Sequence, residues 1–279
     1  PQHAREQARE LLPLLGCRSA AELVALDTAT LLERQAAALP SRHMLFFWDS
    51  LFYPRVDGQF IPRTPFAHAR RGGLAGIDLL VGSTGYEAGL WLLWDAALDR
   101  QSAATLCEQL PCFPPGQRGA AAALYDRLFA GEPPGVRGMQ LLGDAMFVVP
   151  GLALAEAHAA SGGRSWLYQF QWEVPGSPMR ATHAADLFFF FDHLALPGAV
   201  DLIGQPQDAA DAATRAALAA RMQSALIDFA RTGQPGWTAY EPAQRRVMLF
   251  DRQDTVATDP FGERREWWLR NVYEPVLAR

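Results

Sequence analysis

The sequence predicts an α/β fold built on a mostly parallel sheet flanked by helices. Three observations carry that prediction. Ile77-Asp78-Leu79-Leu80-Val81-Gly82 is a short apolar run between glycines, the composition of a strand buried on both faces. Trp166-Leu167-Tyr168-Gln169-Phe170-Gln171-Trp172 is aromatic and alternates, as a strand does. Helical stretches lie between and after them, and the order strand, helix, helix, strand, helix, strand is that of stacked α/β units.

Taken from the start, the first 40 residues read as helices. Ala8, Leu11, Leu12 and Leu15 share a face that Gly16 stops, and Ser19 with Glu22 has the spacing of a capping box. Asp27 opens a further helix through Leu39, ended by Pro40. An aromatic, irregular stretch follows (Phe46, Phe47, Trp48, Phe52, Tyr53), and Asp57-Gly58 marks a turn. After the Ile77–Gly82 strand, Ala88–Leu98 and Ala120–Ala130 have helical spacing. Asp144 is expected to start a helix running to Ser161, with Pro150 in its first turns or kinking it. Asp208–Arg231 is a long Ala-rich helix closed by Gly233, Val247–Phe250 a short strand, and Glu263–Leu277 a final amphipathic helix.

Composition narrows the function. The 279 residues are 49% hydrophobic and 20% charged, ordinary for a globular protein, and a net charge of -5 argues against nucleic-acid binding through a basic face. All 25 basic residues are arginine, which excludes any lysine-dependent chemistry within the chain and points to GC-rich, bacterial coding. Cys17, Cys107 and Cys112 are too few and too unevenly spaced for a disulfide framework and read as reduced, structural thiols. No histidine has metal-ligand spacing, so neither metal nor cofactor is expected. No apolar run approaches the roughly 20 residues of a membrane span. The setting expected is the bacterial cytoplasm, with secretion left open because Pro1 does not read as a native N-terminus.

Two residues stand where strands give way to loops, the place where open α/β sheets gather ligands: Glu87 and His183. A carboxylate and an imidazole on neighbouring loops can hydrogen-bond, the acid fixing the tautomer of the base. Each also has a plain reading. Glu87 suits the first turn of a helix on dipole grounds, and His183 can be an ordinary loop residue.

A series of motifs surrounds them. Pro54-Arg55-Val56-Asp57-Gly58-Gln59-Phe60-Ile61-Pro62 is similar to the P-x-x-D-G-x-x-x-P segment of type-B carboxylesterases and cholinesterases. Leu80-Val81-Gly82-Ser83-Thr84-Gly85-Tyr86-Glu87-Ala88-Gly89 resembles that family's L-x-G-x-x-x-x-E-G, with alanine where glycine is usual. Asp144–Pro150 resembles D-x-x-F-x-x-P, and Trp166–Phe170 resembles V-Y-x-Y-x-F. Arg180–Phe191 resembles G-x-x-H-x-x-E-L-x-F-x-F, with Asp186 in the glutamate position. Phe229–Pro235 resembles F-A-x-T-G-x-P, followed by Trp237 and Tyr240. Six motifs in one collinear order identify a resemblance to the C-terminal half of the family.

That resemblance implies the C-terminal portion of a single α/β-hydrolase domain over residues 1–279, acting in serine-type carboxylic ester hydrolysis. By it Glu87 is the orienting acid and His183 the general base, while Asp186 supports the loop. Phe188, Phe189, Phe46, Phe47 and Trp91 are candidates to line an acyl or alcohol pocket, against the plain reading that they pack the core. The family's G-x-S-x-G elbow does not occur in this sequence, and Ser83 is too near Glu87 to replace it. The expected partners are therefore a small carboxylic ester and an N-terminal segment carrying the serine and the oxyanion hole, without which the chain should be inactive. The alternative is a non-catalytic, cholinesterase-like binding or adhesion protein that lacks the serine.

Overall fold

A computed structural model describes residues 2–38, 54–110 and 112–274, and the chain falls into two units, Pro1–Thr64 and Pro65–Arg279. In the first unit, helices α1 (Gln2–Leu14), α2 (Ala20–Val24) and α3 (Thr28–Ala38) are set by local capping. Ser19 Oγ accepts from the Glu22 N–H at 3.2 Å, and Asp27 accepts from the Thr30 N–H at 2.9 Å. The capping box is half made, because the Glu22 carboxylate turns to the backbone and guanidinium of Arg18. The Asp57-Gly58 turn forms as expected, with Asp57 Oδ1 accepting from the N–H groups of Gln59 and Ile61.

The second unit is a four-stranded sheet between helices. After α4 (Pro65–Arg70) comes β1 (Leu79–Thr84), which pairs in parallel with β2 (Ser165–Phe170), residue 79 facing 165 and residue 84 facing 170. β2 pairs in parallel with β3 (Arg246–Phe250), and β3 pairs antiparallel with β4 (Thr255–Thr258). Among the described residues β1 therefore pairs on one side only and is an edge strand.

Alternation along β2 divides the core into two layers. Trp166 and Phe170 point to a cluster with Trp172, Phe189, Phe190, Leu218, Met222 and Phe250, which α9 (Ala185–Phe190) and α11 (Ala209–Thr232) cover. Leu167 points the other way, to Leu152, Ala155, Val247 and Phe261, beneath α8 (Val149–Ala160). α11 is the predicted Ala-rich helix almost to the residue. Its N-cap Asp208 accepts from Asp211 N–H at 2.8 Å, and Gly233 ends it in the left-handed region.

Several boundaries differ from expectation. Ala88–Leu98 is two 3₁₀ segments, Glu87–Leu93 and Ala96–Arg100, because Asp95 turns its carboxylate onto the Ala97 N–H and starts afresh. α5 (Ala103–Gln109) and α6 (Arg118–Leu128) follow. The helix expected from Asp144 begins earlier, as α7 (Pro134–Gly143), led by a proline at its first position. Asp144–Val148 then winds as a π-turn, and α8 continues to Ala160. Asp144 is buried and paired inside this helix, so it caps nothing. Pro134–Ala160 is long and apolar enough, by length and composition, to cross a membrane, but 67% of its most apolar window is buried inside the protein, as in a core helix. The chain's later helices are α10 (Pro197–Ile203) and α12 (Gly262–Trp268), the latter passing into a π-turn at Leu269–Tyr273.

Candidate active site

Past the end of β1 the backbone keeps pairing with the end of β2 and the segment that follows it. Gly85 N–H donates to Phe170 O at 2.7 Å and Tyr86 N–H to Ala181 O at 2.8 Å, and Tyr86 and Thr182 form a single parallel bridge. That bridge brings the residue after each, Glu87 and His183, side by side. A 3₁₀ segment can start at Glu87 because Gly89 lies against the His183 loop. A Cβ on Gly89 would stand 2.3 Å from Met179 O. Arg180 and Ala184, on either side of His183, both hold positive φ (48° and 64°), so His183 sits in a tightly bent loop. Arg180 is held there by a two-pronged ion pair with Glu132 and by stacking over Tyr86.

The two side chains meet. His183 Nδ1–H donates to Oε2 of Glu87 at 2.6 Å. The other carboxylate oxygen, Oε1, accepts from the backbone N–H of Thr84, also at 2.6 Å. Glu87 is buried, while about a third of the His183 side chain is exposed. A buried acid behind a half-open imidazole leaves Nε2 as the atom that can take or give a proton.

Rings close the rest of the imidazole. Phe147, on the π-turn, has its centroid 4.3 Å from that of His183, and Trp91 lies 5.8 Å from both. Below them is a second carboxylate. Asp186 is buried and accepts from the Tyr168 hydroxyl at 2.8 Å. Burial pushes its carboxyl above the ordinary range, the Tyr168 hydrogen bond opposes this, and the charge of Glu87 adds to it. Behind Glu87, Asp144 is fully buried between the Tyr125 hydroxyl at 2.5 Å and Arg264 Nη1 at 3.1 Å. Burial raises its carboxyl too, and Arg264 works against that rise.

The structure brings Glu87, His183 and Trp91 together, with Trp91 buried against the imidazole. Phe188 is half-buried at the rim of the core. Phe189 has no exposed surface and packs on Phe170 and Trp172. Phe46 and Phe47 lie outside the described residues. Sequence reasoning gave no role to Phe147, Asp144, Tyr125 or Arg264. The available signal was the Asp144–Pro150 motif, which holds Asp144 and Phe147 three residues apart. Among the described residues no group of three His, Cys, Asp or Glu is placed to hold a metal ion. A cavity of about 810 Å³ opens beside the same loop, but Tyr86, Glu132 and Arg180 line it rather than the Glu87–His183 pair.

Residues 130–268 match the sequence model of the carboxylesterase family. The para-nitrobenzyl esterase of Bacillus subtilis (strain 168) is 28% identical over 222 residues, which are 77% of this chain and 42% of that protein. Carboxylesterase 5A of Felis catus is 23% identical over 96% of this chain and 50% of its own length. Among solved structures, the Geobacillus stearothermophilus carboxylesterase EST55 at pH 6.2 superposes with a TM-score of 0.78 at 27% identity, covering 96% of this chain and 55% of that one. A PNB esterase structure gives 0.73 at 26% identity, over 92% and 51%. The chain thus has the α/β-hydrolase fold of carboxylesterases, and it spans about half the length of the relatives it matches.

Proposed function

We propose that this chain, which resembles the C-terminal half of a type-B carboxylesterase, supplies the acid and the base of a serine-type carboxylic ester hydrolase. The observation that carries the proposal is the 2.6 Å contact between His183 Nδ1 and Glu87 Oε2, with about a third of the His183 side chain exposed. The nucleophile comes from outside these 279 residues. G-x-S-x-G does not occur in them, and Ser83 is a buried residue of β1.

The serine hydroxyl attacks the ester carbonyl carbon while Nε2 of His183 takes its proton, and the carbonyl π pair becomes an oxyanion. Collapse of that adduct expels the alkoxide, which takes the proton from Nε2 and leaves an acyl-serine. Water, deprotonated in turn by His183, releases the acid and restores the serine. Glu87 stays ionised throughout. It keeps the proton of neutral His183 on Nδ1 and offsets the imidazolium charge as it forms. Phe188, half-buried beside the core, has surface to offer an acyl or alcohol group.

The name of the bacillary relative makes a para-nitrobenzyl ester the natural probe. In the complete enzyme, serine-bearing segment included, His183→Ala should abolish turnover of that ester by several orders of magnitude. A loss of only a fewfold contradicts the role given to His183. A binding protein without catalysis would need no acid clamped on the imidazole. Finding the G-x-S-x-G elbow broken in the N-terminal segment would favour that reading.

A further inference from the structure

One hydrogen bond to Glu87 fixes a single atom of the His183 ring. It leaves the imidazole free to rock about that contact and swing Nε2 away from a substrate. Phe147 covers a face of the ring, its plane tilted 32° from that of the imidazole at a centroid distance of 4.3 Å. Trp91 backs both rings at 5.8 Å. The ring is thus held at an edge by an acid and across a face by an aromatic.

Phe147 arrives there by way of the π-turn. α7 ends at Gly143, Asp144–Val148 takes the wider winding, and α8 resumes at Val149. A π-turn holds one more residue than an α-turn. Regular winding would rotate the residues after the turn by about 100°, and Phe147, late in the turn, by part of that, shifting it relative to the imidazole. The turn is pinned at its first residue. Asp144 accepts from the Tyr125 hydroxyl and from Arg264, and Trp268 Nε1 donates to the Tyr125 oxygen at 2.8 Å. On its other side the helix touches the acid itself, since a Cβ on Gly143 would stand 3.1 Å from the Cβ of Glu87. One helical segment therefore bears on both members of the couple.

We propose that Phe147 is a positioning residue for His183: packed at a tilt over the imidazole, it confines the ring to the plane in which Nδ1 meets Glu87 and Nε2 faces the nucleophile, and the Asp144-anchored π-turn sets it there. Its catalytic consequence rests on reading His183 as the base. A flat ring is required rather than mere bulk, because an aromatic face blocks rocking and also favours the imidazolium that forms during proton transfer.

The test compares Phe147→Leu, Phe147→Met, Phe147→Tyr and His183→Ala in the complete enzyme with a para-nitrobenzyl ester. Phe147→Leu is expected to lower kcat about 10- to 100-fold with KM changed less than about threefold. The low-field proton resonance of His183 Nδ1–H should broaden or vanish in the same variant, and Phe147→Tyr should restore both. Phe147→Met carries the same comparison if the leucine variant fails to fold. A rise in KM alone, or a fall in kcat with the low-field resonance unchanged, overturns the proposal. Activity surviving in His183→Ala removes the base assignment, whereas the resonance in Phe147→Leu still reads whether the ring is held. Loss of activity in His183→Ala beside an unmoved resonance in Phe147→Leu removes the positioning role alone.

Discussion

The backbone N–H of Thr84 donates to one oxygen of Glu87 at 2.6 Å, leaving the other oxygen to His183 at the same distance. The carboxylate is thereby tied to the last residue of its own strand, and its orientation does not depend on the histidine. An acid held only by its base could swing with it. This one cannot, so it can hold the imidazole in one tautomer.

Glu87→Gln follows from that division of the two oxygens. The amide oxygen is needed by Thr84 N–H, which turns the NH₂ towards Nδ1. A donor there favours the tautomer with its proton on Nε2, and that nitrogen can no longer accept from a serine. The expected loss in kcat/KM of the complete enzyme is roughly 10³- to 10⁴-fold. A loss of only a fewfold in steady-state assays would show that the tautomer is fixed by something else.

Gly89→Ala should harm both stability and catalysis. The new Cβ would stand 2.3 Å from Met179 O, a backbone atom in the loop leading to His183, so relief requires moving that loop or the 3₁₀ segment. Overpacking of this kind costs about 1–3 kcal/mol. Urea unfolding should show a lower midpoint with an unchanged slope, and kcat should fall in parallel.

Asp144→Ala removes the acceptor shared by Tyr125 and Arg264. It leaves a guanidinium with only 14% of its side chain exposed and without its carboxylate. Breaking one half of a buried pair costs about 3–5 kcal/mol. Asp144→Asn keeps an acceptor and should cost less. Denaturation of the two variants side by side would check the order, and equal losses would mean that charge matters little there.

Asp186 gives a pH dependence. Burial raises its folded carboxyl above the ordinary aspartate value of 3.8, so its contribution favours the native state below that value. The contribution is lost as pH rises through the higher folded value. Asp186→Asn cannot titrate and can still accept from Tyr168. The stability of the parent relative to Asp186→Asn should therefore decline from about pH 3.5 upward and then level off. A difference that grows in the parent's favour with pH would contradict the burial argument.

Where structure is set by neighbours in sequence, it could be read from the sequence. Asp208 and Gly233 bracket α11 because capping and the left-handed stop are local. Strand β1 was placed two residues early, since Gly82 reads as a boundary but lies inside the strand under the Tyr168 ring. β4 was not anticipated. Thr255–Thr258 is mostly exposed, half polar and held by its antiparallel partner alone. The pairing of Glu87 with His183 was legible only through the collinear motifs. Their meeting depends on the one-residue bridge between Tyr86 and Thr182, which no local pattern announces. The Asp144–Pro150 motif contains Phe147 but does not say where it points. The winding that aims it depends on Tyr125, Arg264 and Trp268, all remote in the chain.

The Tyr86–Thr182 bridge also bears on what a second polypeptide would have to contribute. Glu87 and His183 already meet within Pro65–Arg279, so on the proposed mechanism a segment brought from elsewhere has to add the serine and the oxyanion hole, aligned on Nε2. That suits fragment complementation, in which ester turnover reports that two separately expressed pieces have met.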